Sequence, residues 1–138
     1  MLNVKPVDIN DFNKVIDMLQ SISNYTPDIE ETNEIWGRFN NQENLKAFTF
    51  FENNQIVGYG SILYENKIRG GIAGHIEDIV IDGNARGKGY GKYIIDYLVQ
   101  DARKFNCYKI SLSCKEHNIM FYEKCGFIKD GITMQIQL

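Results

Sequence analysis

Residues 86–91, Arg86-Gly87-Lys88-Gly89-Tyr90-Gly91, follow a short apolar run at 76–81 and lead into a helical pattern that begins at Lys92. A glycine-rich turn between a strand and a helix start aims several backbone N–H groups, and the positive end of the helix dipole, at one point. Such a point suits an anion, above all a pyrophosphate. Two phosphate loops do not fit. A P-loop needs Gly-x-x-x-x-Gly-Lys and then Ser or Thr, whereas position 86 is Arg and Lys92 precedes Tyr93. A dinucleotide fingerprint needs Gly-x-Gly-x-x-Gly and a later acidic residue, where this chain has Gly87-x-Gly89-x-Gly91 and then Ser111 to Ser113. The pattern that remains is Arg-x-x-Gly-x-Gly, to be weighed against an ordinary turn with a solvated Arg and Lys.

Other chemistry-bearing residues cluster nearby. Glu77 and Asp78 are adjacent, so on a regular strand they face opposite sides and reach one ligand together only if a bulge turns one of them. Lys109, Ser111 and Ser113 alternate with Tyr108, Ile110 and Leu112, giving one strand a polar face that suits either a water-filled cleft or a cover of polar helix side chains. Trp36, the only tryptophan, reads as core or interface.

The elements that must position these residues follow from periodicity. Residues 5–9 read as a strand. Residues 11–21 carry Phe12, Val15, Ile16 and Leu19 at helical spacing. Thr26-Pro27-Asp28 starts a second helix through Ile35 and Trp36. Residues 47–51 and 55–64 form a hairpin around Glu52-Asn53-Asn54, and 68–73 a further strand weakened by its glycines. Strand 76–81, the glycine loop, helix 92–105 and strand 108–114 make a β-α-β crossover with parallel strands. A short helix at 117–124, stopped by Gly126, precedes a last apolar strand-like segment at 132–138. The fold class is α/β, a mixed sheet flanked by helices.

Composition narrows the function. A chain of 138 residues suits one domain, 1–138. With 15 basic and 18 acidic residues and a net charge of -3, nucleic acid and anionic membranes are not expected partners. The sequence does not open with a basic segment followed by an apolar one, and no apolar run approaches the roughly 18 residues of a membrane span, so a cytoplasmic protein is expected. Cys107, Cys114 and Cys125 lack Cys-x-x-Cys spacing and read as reduced thiols; His75 and His117 are too far apart to suggest a metal pair, and no metal is expected.

Four blocks bring these readings together: residues 74–81 (Gly-His-Ile-Glu-Asp-Ile-Val-Ile), 86–92, 107–110 (Cys-Tyr-Lys-Ile) and 121–127 (Phe-Tyr-Glu-Lys-Cys-Gly-Phe). In order and spacing they resemble the GNAT superfamily of N-acetyltransferases, and within it the branch that acetylates the 2-amino group of glucosamine 6-phosphate on the route to UDP-N-acetylglucosamine. The likeness is dense over 74–138 and loose before it. It implies a homodimer with acetyl-CoA as cosubstrate in a cleft between two splayed central strands. By the same resemblance Ile79, Val80 and Ile81 pair with the pantetheine arm. Arg86, Gly87, Lys88, Gly89, Tyr90, Gly91 and Lys92 hold the pyrophosphate, and Asn118 and Tyr122 complete the cofactor contacts, with Tyr122 beside the thioester sulfur. Glu77, Asp78, Tyr108, Lys109 and Ser23 match sugar contacts, and Lys67 a basic residue near the phosphate.

Two departures stand out. Where the family has Asp or Glu to engage the substrate amine, this chain has Ser113, which carries no charge. Where the family tends to place a basic residue near the C-terminus, this chain reads Gln135-Ile136-Gln137-Leu138. Arg69, two residues from Lys67, would share its side on a strand and replace the missing cation.

Acetyl transfer to an amine requires a neutral nucleophile, a polarised thioester carbonyl and a proton for the departing thiolate. Backbone N–H groups near Ile79 suit the second task. Tyr122 suits the third, since a phenol near pKa 10 lies close enough to a thiol near 8.5 to protonate it. Glu77, Asp78 and water are left to accept the amine's proton, with Ser113 unable to help. Two alternatives remain: an acetyltransferase of the same fold for another amine, such as an amino sugar, a polyamine or a protein N-terminus, and a non-catalytic acetyl-CoA-binding module.

Overall fold

β-branched and aromatic residues concentrate between Leu45 and Ile81, and there the backbone is extended. The computed structural model describes residues 2–138. Strands β1 (Asn3–Pro6), β2 (Leu45–Glu52), β3 (Gln55–Asn66), β4 (Ile72–Ile81) and β5 (Lys109–Ser111) form one sheet in that order. Successive neighbours are antiparallel except β4 and β5, which are parallel. Parallel neighbours need a long crossover, and helix α3 (Tyr90–Lys104) supplies it. Helices α1 (Phe12–Leu19), α2 (Thr32–Asn40) and α4 (Ile119–Lys124) complete the order.

The strands alternate their side chains between two helical layers. On one face Phe48, Phe50, Ile62 and Ile76 meet Ile94, Ile95, Leu98 and Ala102 of α3. On the other, Ala47, Tyr59 and Val80 meet Val15 and Met18 of α1. Gly58 and Gly60 let α3 lie close to β3, because a Cβ would stand 2.7 Å from Ile94 Cδ1 at Gly58 and 3.0 Å from Ile94 Cγ2 at Gly60. The helix start beneath the glycine loop is thereby fixed against the centre of the sheet.

The β2–β3 hairpin turns on Asn53 and Asn54, at φ 50° and 64°, the paired left-handed conformation that a two-residue turn needs and asparagine tolerates. Four expectations are corrected. The first strand is Asn3–Pro6 rather than 5–9, because Asp8 and Asp11 form a reciprocal capping box that bends residues 9–11 into a 3-10 turn. Residues 68–70 are a hairpin turn, not a strand: Gly70 N–H bonds to Lys67 C=O, Lys67 N–H to Gly71 C=O, and Gly70 takes φ 98°. β5 is three residues long rather than seven. Residues 132–138 join no strand, and Ile132, Met134 and Ile136 are 92%, 89% and 82% exposed, since an alternating apolar strip needs a surface to cover and no element among the described residues covers it.

Candidate active site

β4 carries the irregularity that the adjacent carboxylates require. Tyr59 pairs with Val80 and Ser61 with Glu77, so Gly60 stands opposite both Asp78 and Ile79. Asp78 absorbs the extra residue at φ 56°, a left-handed conformation that Asp adopts more readily than most side chains. The alternation shifts by one as a result: Ile76 and Ile79 both pack toward α3, and Val80 toward α1. Glu77 and Asp78 are exposed, and Asp78 comes close enough to Tyr59, on the α1 side, for its charge to hold that phenol's proton more tightly. The buried Ser61 hydroxyl donates to Glu77 C=O at 3.0 Å, tying the bulge to β3.

Although Asp78 is open to water on one side, the surrounding protein disfavours its ionised form and raises its carboxyl above the ordinary value. An acid whose pKa is raised by folding costs stability when ionised, at pH above the folded value, and the cost disappears as pH falls below the unfolded one. Asp78→Asn keeps the left-handed backbone accessible and removes the charge. The variant is expected to melt above the wild type at pH 7, with the gap closing toward pH 3, and thermal unfolding at the two pH values checks this.

β4 and β5 part immediately below this bulge. They pair only at Ala73–Lys109, Gly74–Ile110 and His75–Ser111, after which β4 runs on to Ile81 without a strand on that side. The expected splay between the two strands is therefore present, and it opens along residues 76–81. An open strand edge offers N–H and C=O groups to an amide-bearing chain, as an added strand would use them.

The glycine loop closes one side of the opening. Gly87 and Gly89 take φ 82° and 80° on either side of Lys88, conformations that cost a side-chain-bearing residue about 1–2 kcal/mol. Gly89 caps α3 without a side-chain hydrogen bond, and Tyr93 N–H donates to Gly89 C=O at 3.2 Å. The N–H groups of Tyr90, Gly91 and Lys92 precede it and have no intrahelical acceptor. Lys88 donates to Glu52 at 3.2 Å, the Tyr90 hydroxyl bonds the same carboxylate, and Lys92 pairs with Asp96 at 2.6 Å. Arg86 is exposed. Gly91 has a packing task as well, since its missing Cβ would lie 3.1 Å from Phe121 Cζ of α4.

That contact sets α4 against the start of α3. Tyr122, half-buried, packs edge-on to Phe121 and Phe127 at 5.0 and 6.0 Å. Burial, with smaller contributions from Cys114 and Cys125, raises its phenol above the ordinary value. Asn118 stands at the N-terminal end of the same helix and is partly exposed.

The residues matched to sugar contacts are spread more widely. Lys67 donates to Glu65 at 2.9 Å at the β3 end of the hairpin turn, and Tyr108 lies close enough to add a small upward push on the Lys67 ammonium, whose largest influence is Glu65. Tyr108 packs its ring on Gly71, and the Lys109 ammonium lies 5.7 Å from that ring. Ser113 is exposed and its hydroxyl meets that of Thr133 at 2.8 Å. Ser23 is exposed in the loop after α1. Arg69 stands within the turn, so the shared strand side expected of Lys67 and Arg69 is not formed. Glu65, His75 and Ser111 join Lys67 in one hydrogen-bonded chain; sequence reasoning does not single out Glu65, and it reads Ser111 only as part of a polar strand face and His75 only as a histidine distant from His117, because nothing local points to the cross-strand pairing. Among the described residues no group of three or more His, Cys, Asp or Glu side chains is placed to hold a metal, and no helix is long and apolar enough to cross a membrane.

A parallel-strand fork, a bulge beside it and a glycine loop opening a helix are the parts from which this candidate site is built. The acetyltransferase (GNAT) family model matches residues 13–127, and the chain belongs to that family. It is 38% identical over 147 residues to glucosamine 6-phosphate N-acetyltransferase 1 of Dictyostelium discoideum, covering 99% of this chain and 91% of that protein. With glucosamine 6-phosphate N-acetyltransferase of Arabidopsis thaliana it shares 42% over 82 residues, 58% of this chain and 55% of the relative. The crystal structure of the glucosamine-6-phosphate N-acetyltransferase from Arabidopsis thaliana superposes with a TM-score of 0.88 at 30% identity, covering 99% of this chain and 98% of that one. A predicted acetyltransferase of Clostridium acetobutylicum, solved with acetyl-CoA, gives 0.75 at 25% identity over 99% and 96% of the two chains.

Proposed function

We propose that this chain transfers the acetyl group of acetyl-CoA to the 2-amino group of glucosamine 6-phosphate, releasing N-acetylglucosamine 6-phosphate and CoA. The observation that carries the reading is the bulge at Asp78, which sets two carboxylates at the mouth of an open strand edge. Full-length similarity to the Dictyostelium discoideum enzyme supports the choice of acceptor.

Acetyl-CoA supplies the activated acyl group. Residues 79–81 and the loop from Arg86 to Lys92 are the groups that would hold it: the strand edge has free backbone polarity, and the N–H groups at the start of α3 suit a diphosphate. Backbone N–H groups near Ile79 polarise the carbonyl oxygen. The amine attacks the carbonyl carbon and the C–S bond breaks. Glu77 or Asp78 takes the amine's proton through water, and Tyr122 gives its hydroxyl proton to the leaving sulfur. Ser113 holds no charge, so the β4 carboxylates carry the acceptance of the proton. Tyr108, Lys109 and Ser23 line the acceptor side, and Asn118 the cofactor side. The working unit is a cytoplasmic homodimer of single-domain chains, in which the uncovered strip at 132–138 gains a partner surface.

Ser113 and the lack of a basic side chain at 135–138 favour one second reading, transfer to a different primary amine. Release of CoA from acetyl-CoA by purified protein separates the two when glucosamine 6-phosphate, glucosamine and a short peptide amine are compared at equal concentration. Turnover is expected with the sugar phosphate at least tenfold above the others. Preference for the peptide amine would replace the acceptor and leave the family assignment intact.

A further inference from the structure

Phe48 and Phe50 of β2 pack toward α3, so Glu52, two residues on, is placed on the same face of the sheet. The core ends there. Glu52 is the last residue of β2, the Asn53-Asn54 turn follows it, and its carboxylate meets the glycine loop. The two carboxylate oxygens divide between two loop residues. Lys88 Nζ donates to Oε1 at 3.2 Å, and the Tyr90 hydroxyl donates to Oε2. The Lys88 ammonium also lies 5.9 Å from the centre of the Tyr90 ring, so the three side chains close on one another at the outside of the loop. The Glu52 carboxyl is held below its ordinary value, by the Tyr90 hydroxyl first and Lys88 second, and the Tyr90 phenol is raised in return.

The loop needs such a tie. Gly87 and Gly89 both take left-handed conformations, and glycine reaches many other conformations as readily. Neither has a side chain with which to hold its shape. Lys88 and Tyr90 alternate with them, and both bind one acceptor that lies 36 and 38 residues away on a different element. Tyr90 is the first residue of α3 and its ring packs against the core, so the bond from its hydroxyl fixes the helix start relative to the hairpin tip.

Resting on the reading that this loop holds acetyl-CoA, we infer that Glu52 is a positioning residue for the cofactor: through Tyr90 and Lys88 it ties the tip of the β2–β3 hairpin to the glycine loop and keeps the N–H groups at the start of α3 converged before the diphosphate arrives. Ordering one residue's backbone on binding lowers affinity roughly tenfold, so a loop already ordered binds better. A carboxylate beside an anion loop also acts in the opposite sense, by repelling the ligand or withholding Lys88 from it. One unit charge at contact distance in water is worth about fivefold in binding, and the Lys88 ammonium already neutralises the Glu52 charge. Holding two glycines and the residue between them in order outweighs that.

Calorimetric titration of acetyl-CoA into the wild type and four variants tests this. Glu52→Ala is expected to weaken binding about tenfold, the lower end of what a hydrogen bond to a charged group contributes. Tyr90→Phe keeps the Glu52–Lys88 ion pair and the ring packing, and is expected to weaken binding to a similar degree. The two changes break the same tie, so the double variant is expected to bind no more than about twofold worse than Glu52→Ala. Glu52→Gln still accepts from the Tyr90 hydroxyl and is expected to stay within about threefold of the wild type, a rescue that a general loosening of the hairpin would not give. Unchanged or tighter binding in Glu52→Ala, effects that multiply in the double variant, or a Glu52→Gln as weak as Glu52→Ala overturns the positioning role and leaves the cofactor reading intact. A wild type that does not bind acetyl-CoA overturns the cofactor reading and the positioning role with it.

Discussion

Tyr122→Phe is expected to lower kcat on the amino sugar phosphate about a hundredfold or more while KM for acetyl-CoA stays near the wild-type value. The phenyl ring keeps the contacts with Phe121 and Phe127 that seat the side chain, so α4 stays in place and only the hydroxyl proton is lost. A positioned general acid contributes about 10²–10⁴-fold, and the departing thiolate would then take its proton from water. Because burial raises the Tyr122 phenol, the donor form persists through neutral and mildly alkaline pH. The wild-type rate is therefore expected to show no alkaline fall caused by Tyr122 below pH about 10. Rapid-quench measurement of the chemical step in both proteins separates this effect from product release. An unchanged rate in Tyr122→Phe would leave the hydroxyl without a catalytic task.

Ile94→Ala is expected to destabilise the protein by about 2–5 kcal/mol, the range for emptying a filled core site. Ile94 is 0% exposed and occupies the space left by two glycines: a Cβ at Gly58 would lie 2.7 Å from its Cδ1, and one at Gly60 3.0 Å from its Cγ2. The backbone of β3 cannot follow into the cavity, because β3 is paired on both sides. Ile94 also lies one turn into α3, so the cavity loosens the helix start that presents the N–H groups of Tyr90, Gly91 and Lys92. A weaker affinity for acetyl-CoA is expected beyond the loss of stability, and denaturant unfolding together with calorimetric titration of acetyl-CoA measures the two.

What was legible in the sequence was what local pattern controls. Asn53 and Asn54 marked the hairpin because their left-handed turn is a property of two residues. The 3.6 period of Ile94, Ile95, Leu98 and Ala102 marked α3, and the glycines before it marked the loop. Adjacent Glu77 and Asp78 raised the need for a bulge, and β4 has one. Other features depended on partners that sequence does not display. Residues 68–73 resemble a strand in composition, yet Gly70 takes the left-handed conformation of the turn between β3 and β4, and Gly71 admits the Tyr108 ring, a contact from 37 residues away. The short pairing of β5, which opens the fork, is set by where β4 bends rather than by any break between Ser111 and Cys114. The Glu65–His75–Ser111 chain joins three strands through register, and register follows from turns and buried faces acting together. The apolar alternation at 132–138 is plain to read, but its strand requires a surface outside the chain.

The central claim is that the acyl carbon moves from sulfur to the sugar's nitrogen. Acetyl-CoA labelled with 13C at the carbonyl, incubated with the protein and 15N-labelled glucosamine 6-phosphate, tests it by NMR. The account predicts that the thioester carbonyl signal is replaced by an amide signal split by the attached 15N, with one CoA released per amide formed. Label appearing as free acetate, or on the protein's own lysines, with the sugar amine untouched, would contradict it.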